Sequence, residues 1–428
     1  MQKIRTLSLA LWLSMSAPLA SADQVLYQFS TWYIKDSKSG PIATFQDALN
    51  DTLETCGIDV RLNPDGVFGG GTKSAITKVT ACEGISENLV ADSPAREGAI
   101  TADLWPLVVK DMPAPDVGER AAALKLTFEA TDYDRMQWNF CQNRPFYNPS
   151  DSEPVCFSND RASFITWGPN GATAGHGREV QAILNAYLEV PNAGATFDAA
   201  FGSEASSVRR LLTLNHSPNG PLETYLCGVW MDAGRRSAWR EGFRTIGQEP
   251  EIKSIYREVY ASQSFDGGKI KRFYDVWTSD AFSLQVTELD HAWFVDRSAH
   301  MSISKSKLTA AMTALKASAG EKWPLPAADV RRYISQNVIP SNRQKDRLGR
   351  DVAYYISGVG KVRLSTAENE AWVARGRRNA VDIGLSDDRL MAAYTVGKAI
   401  PHPMPDGTLT SAEQALCPAA VLNPQRPG

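Results

Sequence analysis

The sequence predicts a mostly α chain, α+β in class, built from amphipathic helices with one small β-hairpin. Apolar residues recur at helical spacing in segment after segment between Thr44 and Ala317. A glycine-punctuated, strand-like run from Phe164 to Gly177 supplies the hairpin. The chain has 428 residues, 43% of them hydrophobic, which is enough for real cores and suggests two or three domains.

The first residues set the compartment. Lys3 and Arg5 precede an apolar run from Leu7 to Leu19, and Ala20-Ser21-Ala22 closes it with the small residues a signal peptidase accepts. Residues 1–22 therefore read as a signal peptide, and the mature chain is expected in the periplasm or secreted; an uncleaved anchor is the alternative. No later run reaches the roughly 18 apolar residues a spanning helix needs, so no membrane contact is expected after cleavage. Loss of Lys3 and Arg5 leaves 43 basic against 48 acidic residues, a net charge of about −5. No basic block or basic helix face stands out, which argues against nucleic acid as a partner.

Six cysteines in an exported chain point to three disulfides. Their placement suggests Cys56 with Cys82, Cys141 with Cys156 and Cys227 with Cys417, out of about 15 possible pairings; some could instead be free and buried. Metal binding is not expected. The chain has no CxxC or HExxH, and its five histidines, His176, His216, His291, His300 and His402, are scattered. No cofactor is expected either.

Phe45, Leu49 and Leu53 predict a first helix over Thr44–Leu53, stopped at Cys56-Gly57. The run Asp65-Gly66-Val67-Phe68-Gly69-Gly70-Gly71-Thr72 predicts a tight turn with Thr72 as N-cap. Ala75, Ile76 and Val79 then form the buried stripe of a second helix, and Ile100 to Leu107 read as a short third, anchored by Trp105. Met112-Pro113-Ala114-Pro115 reads as a linker. A further helix follows, with Ala121, Leu124 and Phe128 on its apolar face and Glu129 at its C-terminal end. The helix dipole disfavours a carboxylate there, which would suit a general acid. After the hairpin, stripes at Val180–Tyr187, Ile252–Tyr260, Leu289–Met301 and Leu308–Ala317 predict four more helices. Late prolines, among them Pro401, Pro403 and Pro405, predict an extended tail.

The helix, the Asp-Gly-x-Phe-Gly-x-x-Thr turn (Asp65, Gly66, Phe68, Gly69, Thr72) and the closing Thr101 and Trp105 resemble the three-helix peptidoglycan-binding domain attached to bacterial wall hydrolases. The resemblance spans about residues 40 to 108, and the Cys82–Arg96 connection is longer and more acidic than the family's. It implies a wall-binding domain over residues 23–112, with peptidoglycan glycan strands as partner and a monomeric chain.

A helix ending in Glu, then a hairpin, then a helical bundle resembles the lysozyme-like superfamily. Thr127–Asp134 is similar to the stretch of bacterial chitosanases whose Glu is the general acid, and Gln248–Tyr260 and Leu289–Asp296 to two of their helices. This implies a lysozyme-like domain over residues 113–365, followed by an extension over 366–428 tied back by a disulfide. The chitosanase hairpin carries Asp-Gly-Arg-Gly-Tyr-Thr where this chain has Gly168-Pro169-Asn170-Gly171-Ala172-Thr173; Thr173 is kept and the Asp is missing. The resemblance implies Glu129 and Thr173 as catalytic residues. Asp160 or Glu179 would supply the second carboxylate an inverting enzyme needs about 6.5–9.5 Å from the acid; otherwise Glu129 works alone, as in lytic transglycosylases. Asn170, Trp167 and Trp138 are candidate sugar-binding residues. Read without the family, Glu129 is a helix-end residue paired with Lys125, Asp160 a turn residue, Glu179 a helix-start charge, Asp296 a structural carboxylate paired with a base such as Arg297, and both tryptophans core.

The expected function is a glycosidase of wall β-1,4 strands, muramidase or lytic transglycosylase. The alternatives are a chitosanase and a non-catalytic wall-binding scaffold. A zinc amidase or a Cys-His peptidase comes last, for want of a ligand set or Cys/His pairing.

Overall fold

In a computed structural model, α1 (Pro41–Thr55) forms where the apolar spacing predicts it, burying Phe45, Leu49 and Leu53 completely. Pro41 opens the helix where its missing N–H has no partner to lose, and Gly57, at φ +68°, ends it. The structure describes residues 24–29, 34–129, 132–139, 163–175, 177–215, 220–338, 350–351, 354, 383–400 and 407–417. Residues 1–23, Cys141, Cys156, Asp160, His176, His216 and His402 lie outside the described residues.

Two short antiparallel ladders frame the N-terminal unit. β1 (Val25–Tyr27) pairs with β4 (Ile100–Thr101), and β2 (Ile34–Lys35) with β3 (Val67–Phe68). The predicted third helix is thus a strand at Ile100–Thr101 followed by the single turn α3 (Trp105–Val108). The reason is local: the Thr101 hydroxyl accepts from Leu104 N at 3.4 Å, so the helix can begin only after it. Thr72 also departs from expectation. α2 (Gly70–Val79) starts earlier, with Gly69 as its N-cap three residues before Thr72, and Thr72 lies buried in its first turn, accepting from Gln46 Nε2 at 3.0 Å.

This unit sits directly on the helical body. Leu26, Tyr27, Ile34 and Phe45 share one apolar cluster with Ala121 and Leu124 of α4 (Val117–Glu129) and with later helices. At the same junction the Lys38 backbone N–H donates to Asp132 at 2.8 Å and its ammonium pairs with Asp134 at 2.9 Å.

The body continues with β5 (Met136–Trp138), β6 (Ser163–Trp167) and β7 (Ala172–Gly175), a three-stranded antiparallel sheet in that order. Then come α5 (Glu179–Leu188), α6 (Ala193–Phe201), α7 (Ala205–Leu211), α8 (Pro221–Met231) and α9 (Ala233–Ile246). They are followed by α10 (Pro250–Ala261), α11 (Asp266–Trp277), α12 (Glu288–Ala299), α13 (Lys305–Ala319) and α14 (Ala327–Val338). Gln248 falls in the turn before Pro250 rather than in a helix, because Pro250 resets the chain at the start of α10. The fold is mostly helical with a small sheet, as the sequence predicts.

The sheet and α5–α10 gather around a second apolar cluster, so the body has two lobes. α4 belongs to the first lobe and the hairpin β6–β7 to the second. The described tail lies along both lobes through single bridges at Leu390, Gly397 and Gly407, and through α15 (Ser411–Ala415). Arg120 donates to the carbonyls of Ile383 at 3.0 Å and Gly384 at 2.7 Å, and Arg331 pairs with Asp387 at 2.8 Å.

Cys56 and Cys82 stand at disulfide geometry with Cα atoms 6.0 Å apart, and Cys227 and Cys417 with theirs 5.5 Å apart. Both pairs suit an oxidising compartment. No helix among the described residues is long and apolar enough to cross a membrane.

One buried acid gives the fold a pH dependence. Asp36, 4% exposed, closes the junction between β2 and α1; its Oδ1 accepts from Ser37 N at 2.7 Å, and the Ile42 backbone N–H also acts on the carboxylate. Burial, with Glu119 and Asp132 nearby, pushes its carboxyl up to about 7 from an ordinary 3.8. The folded state thus prefers the protonated acid, so this stabilisation is complete below pH 4 and is lost as pH rises to 7. Three pKa units at about 1.4 kcal/mol each set an upper bound of about 4 kcal/mol. Asp36→Asn should therefore be nearly neutral at pH 4 and increasingly stabilising up to pH 7, read from urea unfolding. A gain independent of pH would contradict this account.

Candidate active site

Glu129, its side chain 34% exposed, ends α4 one turn beyond Lys125, whose Nζ reaches across the seam between the lobes to Asn170. Its carboxylate lies 2.8 Å from the Arg350 guanidinium, not against Lys125. Arg350 in turn grips Asp296, which is fully buried on α12, and stacks over the Phe128 ring at 5.2 Å from its centroid. Burial works against the Arg350 charge, and Asp296 and Glu129 more than offset it, so the guanidinium is held above its ordinary value. Asp296 is a buried carboxylate with Arg350 as a partner, and Arg297 lies over the Trp293 ring.

The hairpin turn meets that seam at Asn170. Tyr256 on α10 clamps its turn: the hydroxyl accepts from Asn170 N at 3.1 Å and Ala172 N at 3.3 Å, and donates to Trp167 O at 2.9 Å. Tyr260 adds a bond to Asn170 O at 3.3 Å. Gly168 adopts φ +74°, and a Cβ there would stand 2.6 Å from the Tyr256 ring. The position where the chitosanase motif carries its Asp has no room for a side chain. Gly168→Asp should destabilise the protein by roughly 2–5 kcal/mol, from left-handed strain and overpacking together, and should not raise any glycan-cleaving activity. A variant of unchanged urea midpoint would refute the steric argument.

Thr173 and Glu179 form a unit of their own. The Thr173 hydroxyl donates to Glu179 Oε2 at 2.8 Å and its backbone N–H donates to the same oxygen at 3.2 Å. Glu179 is the first residue of α5, where a carboxylate suits the dipole, and any side chain at Gly177 would collide with this pair. The Asn170 side chain points at α4, accepting from Lys125 Nζ.

Trp138 and Trp167 are not sugar platforms. Both are fully buried: Trp138 packs 5.6 Å from Trp239, and Trp167 packs 5.1 Å from Phe243 and donates to Tyr133 O at 2.7 Å. The reason is the sheet's own packing. Strands β5 and β6 turn these rings into the second core rather than toward the seam. Asp160 lies outside the described residues, so of the two candidate second carboxylates only Glu179 has a described place.

The Asp-Gly-x-Phe-Gly-x-x-Thr motif builds its own turn. Asp65 accepts from Val67 N at 2.9 Å, and Gly66, at φ +74°, donates to Gln46 Oε1 at 3.0 Å and approaches Ser37 too closely for any Cβ. Phe68, Thr72 and Trp105 are buried, Trp105 with its ring 5.6 Å from Phe45. These residues shape the unit's surface without lying on it, and Gly69 opens α2.

Arg350, Lys125, Tyr256 and Tyr260 are absent from the sequence-derived site. Lys125 and the two tyrosines carried a signal, since Lys125 precedes Glu129 by one turn and the tyrosines share a helix face; Arg350 carried none. Among the described residues no cluster of three or more His, Cys, Asp or Glu could hold a metal. No family model, curated protein or solved structure matches the chain.

Proposed function

We propose that the chain is an exported, peptidoglycan-binding glycosidase that cleaves β-1,4 bonds of the wall glycan with Glu129 as general acid. The observation that carries the reading is the half-buried Glu129 at the end of α4, held by the Arg350–Asp296 pair on the helix that Lys125 ties to the hairpin turn at Asn170. Arg350 fixes the direction of the carboxyl group. Glu129 gives its proton to the leaving oxygen as the C1–O bond breaks. Because the Thr173 hydroxyl donates to Glu179, its lone pairs are left to accept from an incoming water or from a sugar hydroxyl. Water activated by Glu179 gives hydrolysis; attack by the muramic acid C6 hydroxyl, with Glu129 taking the proton back, gives the anhydro product.

The leader pattern and the cysteine pairs support a periplasmic or secreted location. The N-terminal unit would dock on the wall and raise the local glycan concentration at the seam. A non-catalytic wall-binding scaffold is the second reading, favoured by one observation: Gly168 excludes the hairpin Asp by sterics. The test is incubation of the full mature chain with insoluble peptidoglycan, following both the pelleted protein and the appearance of new reducing ends or anhydro sugars. Pelleting with product supports the glycosidase, pelleting alone the scaffold, and neither leaves no ground for a wall protein.

A further inference from the structure

Lys125 is a charged side chain that the proposed reaction does not yet use. It lies on α4 one turn before Glu129 and is 4% exposed, an expensive place for an ammonium. Its Nζ donates to the Asn170 side chain at the tip of the hairpin, so it spans from one lobe to the other. Asn170 is neutral and cannot balance the charge. The carboxylates that act on it come from three helices: Asp266 on α11, Glu129 on α4 and Asp296 on α12, with Arg350 opposing them. Asp266 is itself engaged by Lys269 at 2.8 Å.

We propose that Lys125 is the positioning residue of this site, its ammonium pinning the hairpin tip to α4 so that Thr173 and Glu179 keep a fixed place relative to Glu129. The inference rests on the glycosidase reading and names what that reading lacks, a link between the acid and the hairpin. The attraction of Asp266, Glu129 and Asp296 for the charge is what holds Nζ in place beside Asn170, so losing the proton loosens the pin. Burial lowers the proton affinity of Lys125 below the ordinary lysine range, the three carboxylates opposing. Cleavage should therefore show an alkaline limit set by this lysine. An arginine keeps its charge to about pH 12 or beyond, so it separates charge from shape.

The experiment measures kcat, KM and the pH profile of glycan cleavage for the full mature chain as wild type, Lys125→Met and Lys125→Arg, with urea unfolding alongside. Lys125→Met should lower kcat by about 10²-fold, the loss expected for a misplaced site, with KM little changed. Lys125→Arg should recover much of the rate and move the alkaline limit upward. A Lys125→Met protein with the wild-type rate overturns the proposal while leaving the glycosidase reading intact. Should Lys125→Met fail to fold, Lys125→Arg decides alone, and an unmoved alkaline limit overturns it. A wild type that cleaves no glycan removes both.

Discussion

Replacing Glu129 with glutamine is expected to lower glycan cleavage by about 10²–10⁴-fold, the usual contribution of a general acid, while wall pelleting stays at the wild-type level. Glutamine keeps the side chain's length and an acceptor oxygen for Arg350, but it has no proton to give. Stability should barely move. The Glu129 side chain is 34% exposed, and ion pairs in such places contribute about 1 kcal/mol or less. The comparison of initial rates on peptidoglycan decides it, and a loss under about tenfold would make Glu129 a bystander.

Arg350→Met is expected to have the opposite profile in stability. Asp296 is fully buried, and taking away the cation beside it should cost roughly 3–5 kcal/mol, the range for breaking one side of a buried ion pair. Methionine fills much of the volume and can rest on Phe128, so cavity effects contribute little. Cleavage should fall as well, because the carboxyl of Glu129 loses the group that aims it. Urea midpoints of Arg350→Met and Glu129→Gln measured together test the network: the account requires a large shift in the first and almost none in the second. Equal shifts would mean that the pair at Asp296 is not what holds the end of α4.

These two residues also mark where sequence reading succeeds and where it stops. Glu129 was legible because Ala121, Leu124 and Phe128 define one face of α4 and so fix which residue ends it. The hairpin was legible because Gly168 and Gly171 mark a turn that only positive φ allows. Arg350 was not, since its partners on α4 and α12 are set by how helices pack, and no spacing encodes that. The ladders β1–β4 and β2–β3 were missed for a similar reason: strands of two or three residues carry no periodicity, and their partners are distant in the chain. Trp138 and Trp167 show a third limit. An aromatic in a hairpin reads the same whether it lines a cleft or fills a core, and only the packing of Trp239 and Phe243 decides for the core. The missing hairpin Asp was visible as a letter, yet its cause, the Tyr256 ring against Gly168, belongs to the fold.

Cutting of the wall glycan through Glu129 is the step on which the proposed function depends. The most direct measurement is mass analysis of the soluble muropeptides released from purified sacculi by the full mature protein, beside its Glu129→Gln form. The account predicts disaccharide-peptide fragments from the wild type, with reducing or anhydro ends reporting which nucleophile completed the reaction, and a near-blank trace from Glu129→Gln. A wild type that binds sacculi yet releases no fragment, or a Glu129→Gln protein that releases as many as the wild type, would contradict it.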